Sequence, residues 1–122
     1  ENHDAIIAYT SQMMHIIAVA VCDDPSLFQY QGFEGDSFRG CTRVAALDVP
    51  LWTQLFTMNS KALGSALEEL EKNIRAYRQA IEAGDTATLV EKLTYSAARK
   101  RKMNRLELKT GAVGREGKKT KV

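Results

Sequence analysis

Six apolar side chains in the middle of the chain, Leu63, Leu67, Leu70, Ile74, Tyr77 and Ile81, recur at spacings of 4, 3, 4, 3 and 4. An α-helix turns every 3.6 residues, so this alternation lines one helical face with an apolar seam of nearly three heptads. In a strand, whose side chains alternate every two residues, the same positions would scatter over both faces. Such a seam needs a cover. The pattern leaves open whether that cover is the chain's own core or a second subunit; an isologous two-fold dimer is one arrangement that supplies it.

The rest of the chain also reads as helix. From about His3 to Val21, Ile6, Ile7, Met13, Met14, Ile17 and Val21 fall at helical spacing. Asp23-Asp24-Pro25 ends that helix, because Pro25 pushes Asp24 out of the α region. Residues 26–36 read as a loop punctuated by Gly32 and Gly35, with Phe28, Tyr30 and Phe33 as anchors. A short helix is expected from about Phe38 to Leu47, capped by Ser37. Asp48-Val49-Pro50 starts another that carries Trp52, Leu55 and Phe56. Asn59-Ser60 either caps a new helix or sits inside a continuous one. Gly84-Asp85 closes the seam helix and caps the last, from Thr86 to Leu106 or Glu107. With no alternating strand pattern, the expectation is an all-α fold of about five helices over residues 1–108, then a basic, flexible tail over 109–122.

Composition sets outer bounds. A chain of 122 residues suffices for one domain with a modest core. No uninterrupted apolar run reaches the roughly 18–20 residues of a membrane span. The chain opens on Glu1-Asn2-His3-Asp4 without an initiator Met or signal peptide, which reads as a fragment or a processed chain. Cys22 and Cys41 form neither a metal motif nor a disulfide framework, so a reducing cytoplasm is the expected setting. The net charge of +2 hides an asymmetry: residues 99–122 hold ten Lys/Arg and two acids, and residues 1–98 seven Lys/Arg and thirteen acids. The basic run Arg99-Lys100-Arg101-Lys102, with Arg105, has no interleaved aromatic beyond Tyr95. Cations at a helix C-terminus are also what the helix dipole favours, so a nucleic-acid partner is disfavoured.

The residues that could carry chemistry lie in two places. Arg39 and Arg43 sit four apart near a predicted helix start, where the dipole disfavours cations. They are either surface arginines paired with acids or a site for an anion such as a dicarboxylate, which a guanidinium fork matches with two parallel hydrogen bonds. On the first helix, Asp4, Ala8, Ser11 and His15 fall on one stripe with Gln12 beside it. Asp4 is expected to cap that helix. His15 is either a hydrogen-bonded core residue or a ligand-facing group able to bind an anion or move a proton. His3, Asp4, His15 and Cys22 match no metal-ligand spacing, and no nucleophile turn or Gly-rich phosphate loop is present.

Taken in order, these residues resemble the C-terminal helical domain of the prephenate dehydrogenases. The resemblance is carried by His3-Asp4, by the run Ala8 to His15, by Gly32-Phe33, by the run Ser37 to Ala45, and by Leu51-Trp52 through Asn59. It covers about residues 1–107 and implies the following. The full enzyme joins an N-terminal Rossmann domain to this helical dimerisation domain, with the active site between them. It converts prephenate and NAD+ to 4-hydroxyphenylpyruvate, NADH and carbon dioxide, a step of tyrosine biosynthesis. The family's substrate-anchoring arginine falls on Arg43, and the serine and final histidine of its Ser-His-x-x-His motif fall on Ser11 and His15. Trp52 matches a tryptophan that reaches toward the partner subunit's site. The histidine that assists hydride transfer belongs to the Rossmann half. Gln12 stands where many members have the motif's first histidine, Gly40 where an aspartate is common, and Asp36 where a glycine is typical.

The resemblance thus implies a substrate site of Arg43, His15, Ser11, Gln12 and Trp52, with no catalytic residue, cofactor or metal held by this stretch, NAD bound by the Rossmann domain, and no turnover by this stretch alone. Expected partners are prephenate and a second copy of the chain, with no membrane. Two rivals remain: an arogenate dehydrogenase domain, and a non-enzymatic helical interaction or nucleic-acid-binding module, which gives no reason for Ser11, His15 and Arg43 to converge.

Overall fold

The structure, a computed structural model, describes residues 2–115. Five α-helices carry the described chain: α1 (Asn2–Val21), α2 (Asp36–Thr42), α3 (Val49–Met58), α4 (Ser60–Ala83) and α5 (Thr86–Arg115). A 3₁₀ turn, Pro25–Tyr30, follows α1, and another, Arg43–Ala45, follows α2. No strand occurs among the described residues. The all-α expectation therefore holds.

Contacts divide the chain into two units, Glu1–Asn73 and Ile74–Val122, with α4 contributing to both. In the first, Ala8 and Met13 of α1 bury against Leu63 of α4, and Ile16, Ile17, Phe56, Leu67 and Leu70 pack around them. In the second, Ala80 of α4 is buried, the Tyr77 and Ser96 hydroxyls lie 3.1 Å apart, and Lys92 sits 5.0 Å from the centre of the Tyr77 ring. The apolar seam is split the same way. Leu63 is 5% exposed, whereas Ile74 is 56% and Ile81 62% exposed. Its first half is core; in its second half Tyr77 is half-buried, and Ile74 and Ile81 lie mostly uncovered among the described residues.

Local chemistry explains most boundaries. The Asp24 carboxylate accepts from Ser26 N at 2.9 Å, with Asp24 itself extended ahead of Pro25. Asp48 accepts from Leu51 N at 3.2 Å and caps α3. Asn59, at φ −118°, breaks the chain between α3 and α4, so Ser60 opens a separate helix. Gly84 takes φ +65°, the left-handed turn that glycine enters without a Cβ clash, and Asp85 caps α5 through Thr88. The Thr88 hydroxyl and amide bonds hold the Asp85 carboxyl below its usual range.

Several expectations are corrected. Helix α2 begins two residues before Phe38, with Gly35 at the N-cap position, so Ser37 lies inside the helix and caps nothing. It ends at Thr42, which puts Arg43 at its C-terminal end, where the dipole favours a cation. The predicted electrostatic conflict therefore does not exist. Asp4 is the third residue of α1, a first-turn acid and not a cap. Phe28, Tyr30 and Phe33 are 73%, 59% and 84% exposed; they line an open apolar hollow and anchor nothing. Helix α5 runs to Arg115, past the expected end, because isolated glycines such as Gly111 and Gly114 weaken a helix by only about 1 kcal/mol each. The rest of the basic tail, 116–122, lies outside the described residues. Finally, α1 is long and apolar enough to cross a membrane, an 18-residue stretch of it reaching a mean hydropathy of 1.4, although no uninterrupted run is. Asp4 is its one acidic residue, and it has no Lys or Arg. Here it packs through Ala8, Met13 and Ala18.

Candidate functional site

Helix α1 is not uniform. Ala8–Gln12 forms a π turn, in which backbone bonds run from i to i+5 and one extra residue is taken into the turn. The stripe of Asp4, Ala8, Ser11 and His15 is thereby separated. Ala8 is fully buried in the core, while Ser11 and His15 are half-buried. Thr10, inside the π turn, returns its hydroxyl to Ile6 O at 2.7 Å.

Ser11 and His15 open on a cleft of about 370 Å³ between α1 and the α2–3₁₀ segment. Arg43, Gly40 and Cys41 form its other wall, with Thr10 beside Ser11. The three polar groups that the sequence singled out most strongly, Ser11, His15 and Arg43, therefore share one small cavity. The Arg43 guanidinium makes no ion pair or side-chain hydrogen bond among the described residues. Arg39 differs: its Nη1 lies 3.2 Å from the Asp36 carboxylate, an exposed i,i+3 pair, and it does not line the cleft. The twin arginines separate into one paired and one free.

His15 is held from two sides. Its Nδ1 lies 2.9 Å from Ser11 O, and because a carbonyl only accepts, Nδ1 carries the hydrogen. In the neutral ring Nε2 is then the acceptor. The indole of Trp52 stacks on the imidazole with centroids 3.9 Å apart and planes 22° from parallel, and Phe56 backs Trp52 at 5.6 Å. Trp52 thus orients a side chain of its own chain.

Gln12 does not face the cleft. It is 5% exposed, donates from Nε2 to Leu55 O at 3.2 Å, and accepts at Oε1 from Asn59 Nδ2 at 2.8 Å. The same Asn59 nitrogen reaches Asp4 O at 3.0 Å. Gln12 and Asn59 are therefore a clamp that fixes α1 against α3, and Gln12 is corrected from ligand contact to positioning residue. Asn59 was missed as a partner. Its sequence signals were a place at a helix boundary and at the end of the matching stretch from Leu51, neither of which points to a residue 47 positions away.

The cleft thus brings together a guanidinium, an oriented imidazole and a hydroxyl on an all-helical domain. Comparison with known proteins gives the family. Residues 1–95 match the family model for the prephenate dehydrogenase dimerization domain, and the chain belongs to that family. It is 31% identical over 97 residues to the cyclohexadienyl dehydrogenase of Zymomonas mobilis, covering 75% of this chain and 33% of that protein. The chain thus spans about a third of the length of that relative. Among solved structures, A. aeolicus prephenate dehydrogenase in complex with hydroxyphenyl propionate and NAD+ matches at TM-score 0.70 and 26% identity, over 84% of this chain and 37% of that one. Synechocystis arogenate dehydrogenase matches at TM-score 0.73 over 84% and 39%; at 20% identity it speaks to the fold alone.

Proposed function

We propose that this chain is the substrate-binding and dimerisation domain of a cytoplasmic oxidoreductase that oxidatively decarboxylates prephenate to 4-hydroxyphenylpyruvate with NAD+, in tyrosine biosynthesis. The observation that carries this is Arg43, unpaired among the described residues, on the same cleft as Ser11 and the Trp52-stacked His15. Arg43 grips a substrate carboxylate as a bidentate fork, and His15 Nε2 and the Ser11 hydroxyl complete the polar contacts. Similarity to a dehydrogenase solved with a hydroxyphenyl carboxylate supports the same ligand class here. The described residues do not fit NAD: they offer no strand, and the sequence has no Gly-x-Gly-x-x-Gly turn on which a dinucleotide pyrophosphate could sit. The cofactor, which accepts the hydride, and the group that assists its transfer belong to another part of the enzyme. A homodimer supplies the cover that Ile74 and Ile81 lack, in keeping with the family's description as a dimerization domain.

The test is titration of the 122-residue chain with prephenate and with hydroxyphenyl propionate, followed by Trp52 fluorescence and calorimetry. Wild type should bind both. Arg43→Ala should lose about 1.5–3 kcal/mol, roughly 10- to 150-fold in Kd, the range for a hydrogen bond to a charged group. An unchanged Kd for Arg43→Ala would overturn the assignment.

A further inference from the structure

Gly40 is the fifth residue of the seven in α2, an interior helical position with no positive φ. A glycine there weakens the helix relative to alanine, through the greater freedom of the unfolded chain. Such a glycine is normally explained by a left-handed backbone or by a neighbour too close for a Cβ. Neither applies, since a Cβ built on Gly40 meets nothing within 4 Å. Packing among the described residues therefore gives no reason for the residue. Its surroundings do, because Gly40 forms the wall of the cleft beside Arg43, across from Ser11 and His15.

We infer that Gly40 is a clearance residue: it leaves open the volume that a bound carboxylate ligand occupies against the α2 backbone, at the expense of helix stability. This rests on the reading of the cleft as a carboxylate site. The missing Cβ lets the ligand approach the helix closely beside the free Arg43 guanidinium. It also keeps any side chain from filling that space when the cleft is empty. Position 40 thereby sets which ligand shapes the cleft admits, while Arg43 sets which charge.

The inference separates stability from binding. Gly40→Ala should raise the Tm of the chain by a few degrees while weakening hydroxyphenyl propionate several-fold. Gly40→Leu, a good helix former with a longer side chain, should weaken it by about tenfold or more, the scale of overpacking a filled site. Gly64 of α4 is a matched control, since a Cβ there also meets nothing and it does not line the cleft. Gly64→Ala should raise Tm and leave the Kd unchanged. If Gly40→Ala and Gly40→Leu bind as wild type while Arg43→Ala does not, the clearance role is refuted and the carboxylate site stands. If Arg43→Ala also binds as wild type, the site itself falls. A Gly40→Ala chain that is less stable than wild type, or a loss of binding in Gly64→Ala, would equally refute the clearance role.

Discussion

Removing the Asn59 side chain should unlatch α1 from α3 at a cost that the structure lets one work out. Asn59 Nδ2 donates to two acceptors, Gln12 Oε1 at 2.8 Å and Asp4 O at 3.0 Å. They are not equivalent. Asp4 is exposed, so water replaces that bond and its loss costs about 0.5 kcal/mol. Gln12 is 5% exposed, so its orphaned oxygen carries a desolvation penalty of about 1–3 kcal/mol. Asn59→Ala should therefore destabilise by about 1.5–3.5 kcal/mol. With a urea m-value of about 1.5–2 kcal/mol/M, the midpoint should fall by about 1–2 M, read by far-UV circular dichroism at fixed protein concentration. Gln12→Leu removes the buried acceptor itself. In a Gln12→Leu background Asn59→Ala should then cost much less, giving a coupling of about 1–2 kcal/mol. An Asn59→Ala midpoint within about 0.3 M of wild type, or strict additivity in the cycle, would refute the clamp.

Two further outcomes follow. The Asp85 carboxyl is held below its ordinary value by the Thr88 hydroxyl and amide, so it stabilises the folded state above the ordinary carboxylate range and loses that effect as pH falls through the depressed value. Asp85→Asn should flatten the acid limb of stability against pH and leave the slope between about pH 7 and 9 unchanged; an unaltered acid limb would count against the cap as its source. Ile74→Glu with Ile81→Glu places like charges on the exposed half of the seam and should convert a dimer to monomer by light scattering at micromolar concentration. A dimer that survives both changes must use another face.

Elements whose limits are set by neighbours in the chain were legible in the sequence. Asp24-Pro25, Asp48-Val49-Pro50 and Gly84-Asp85 each act within three residues, and each boundary lies where those residues put it. The start of α2 was misplaced because Ser37 and Asp36 are both competent near a helix N-terminus. The structure settles the choice with Asp36 in the first turn, paired to Arg39. Periodicity found the seam but could not divide it, since spacing states which face is apolar and not what covers it. At the candidate site, spacing alone left Arg39 and Arg43 equivalent; the family resemblance singled out Ser11, His15 and Arg43, and their common cleft is a tertiary fact. Gln12 was misjudged because its burial depends on Asn59 and on Leu55 O, both over 40 residues away.

The π turn at Ala8–Gln12 makes α1 a helix of two phases. Each residue of an α-helix advances about 100°. Deleting one residue from that turn, with the ordinary i to i+4 bonds restored, would swing all that follows by about that angle relative to Asn2–Ile7. Met13 would leave the core and His15 would lose its place beneath Trp52. The extra residue is thus a phase setting that keeps Met13 in the core while His15 lies beneath Trp52. An alignment of this helix that omits or adds a residue there would pair every downstream side chain with the wrong face.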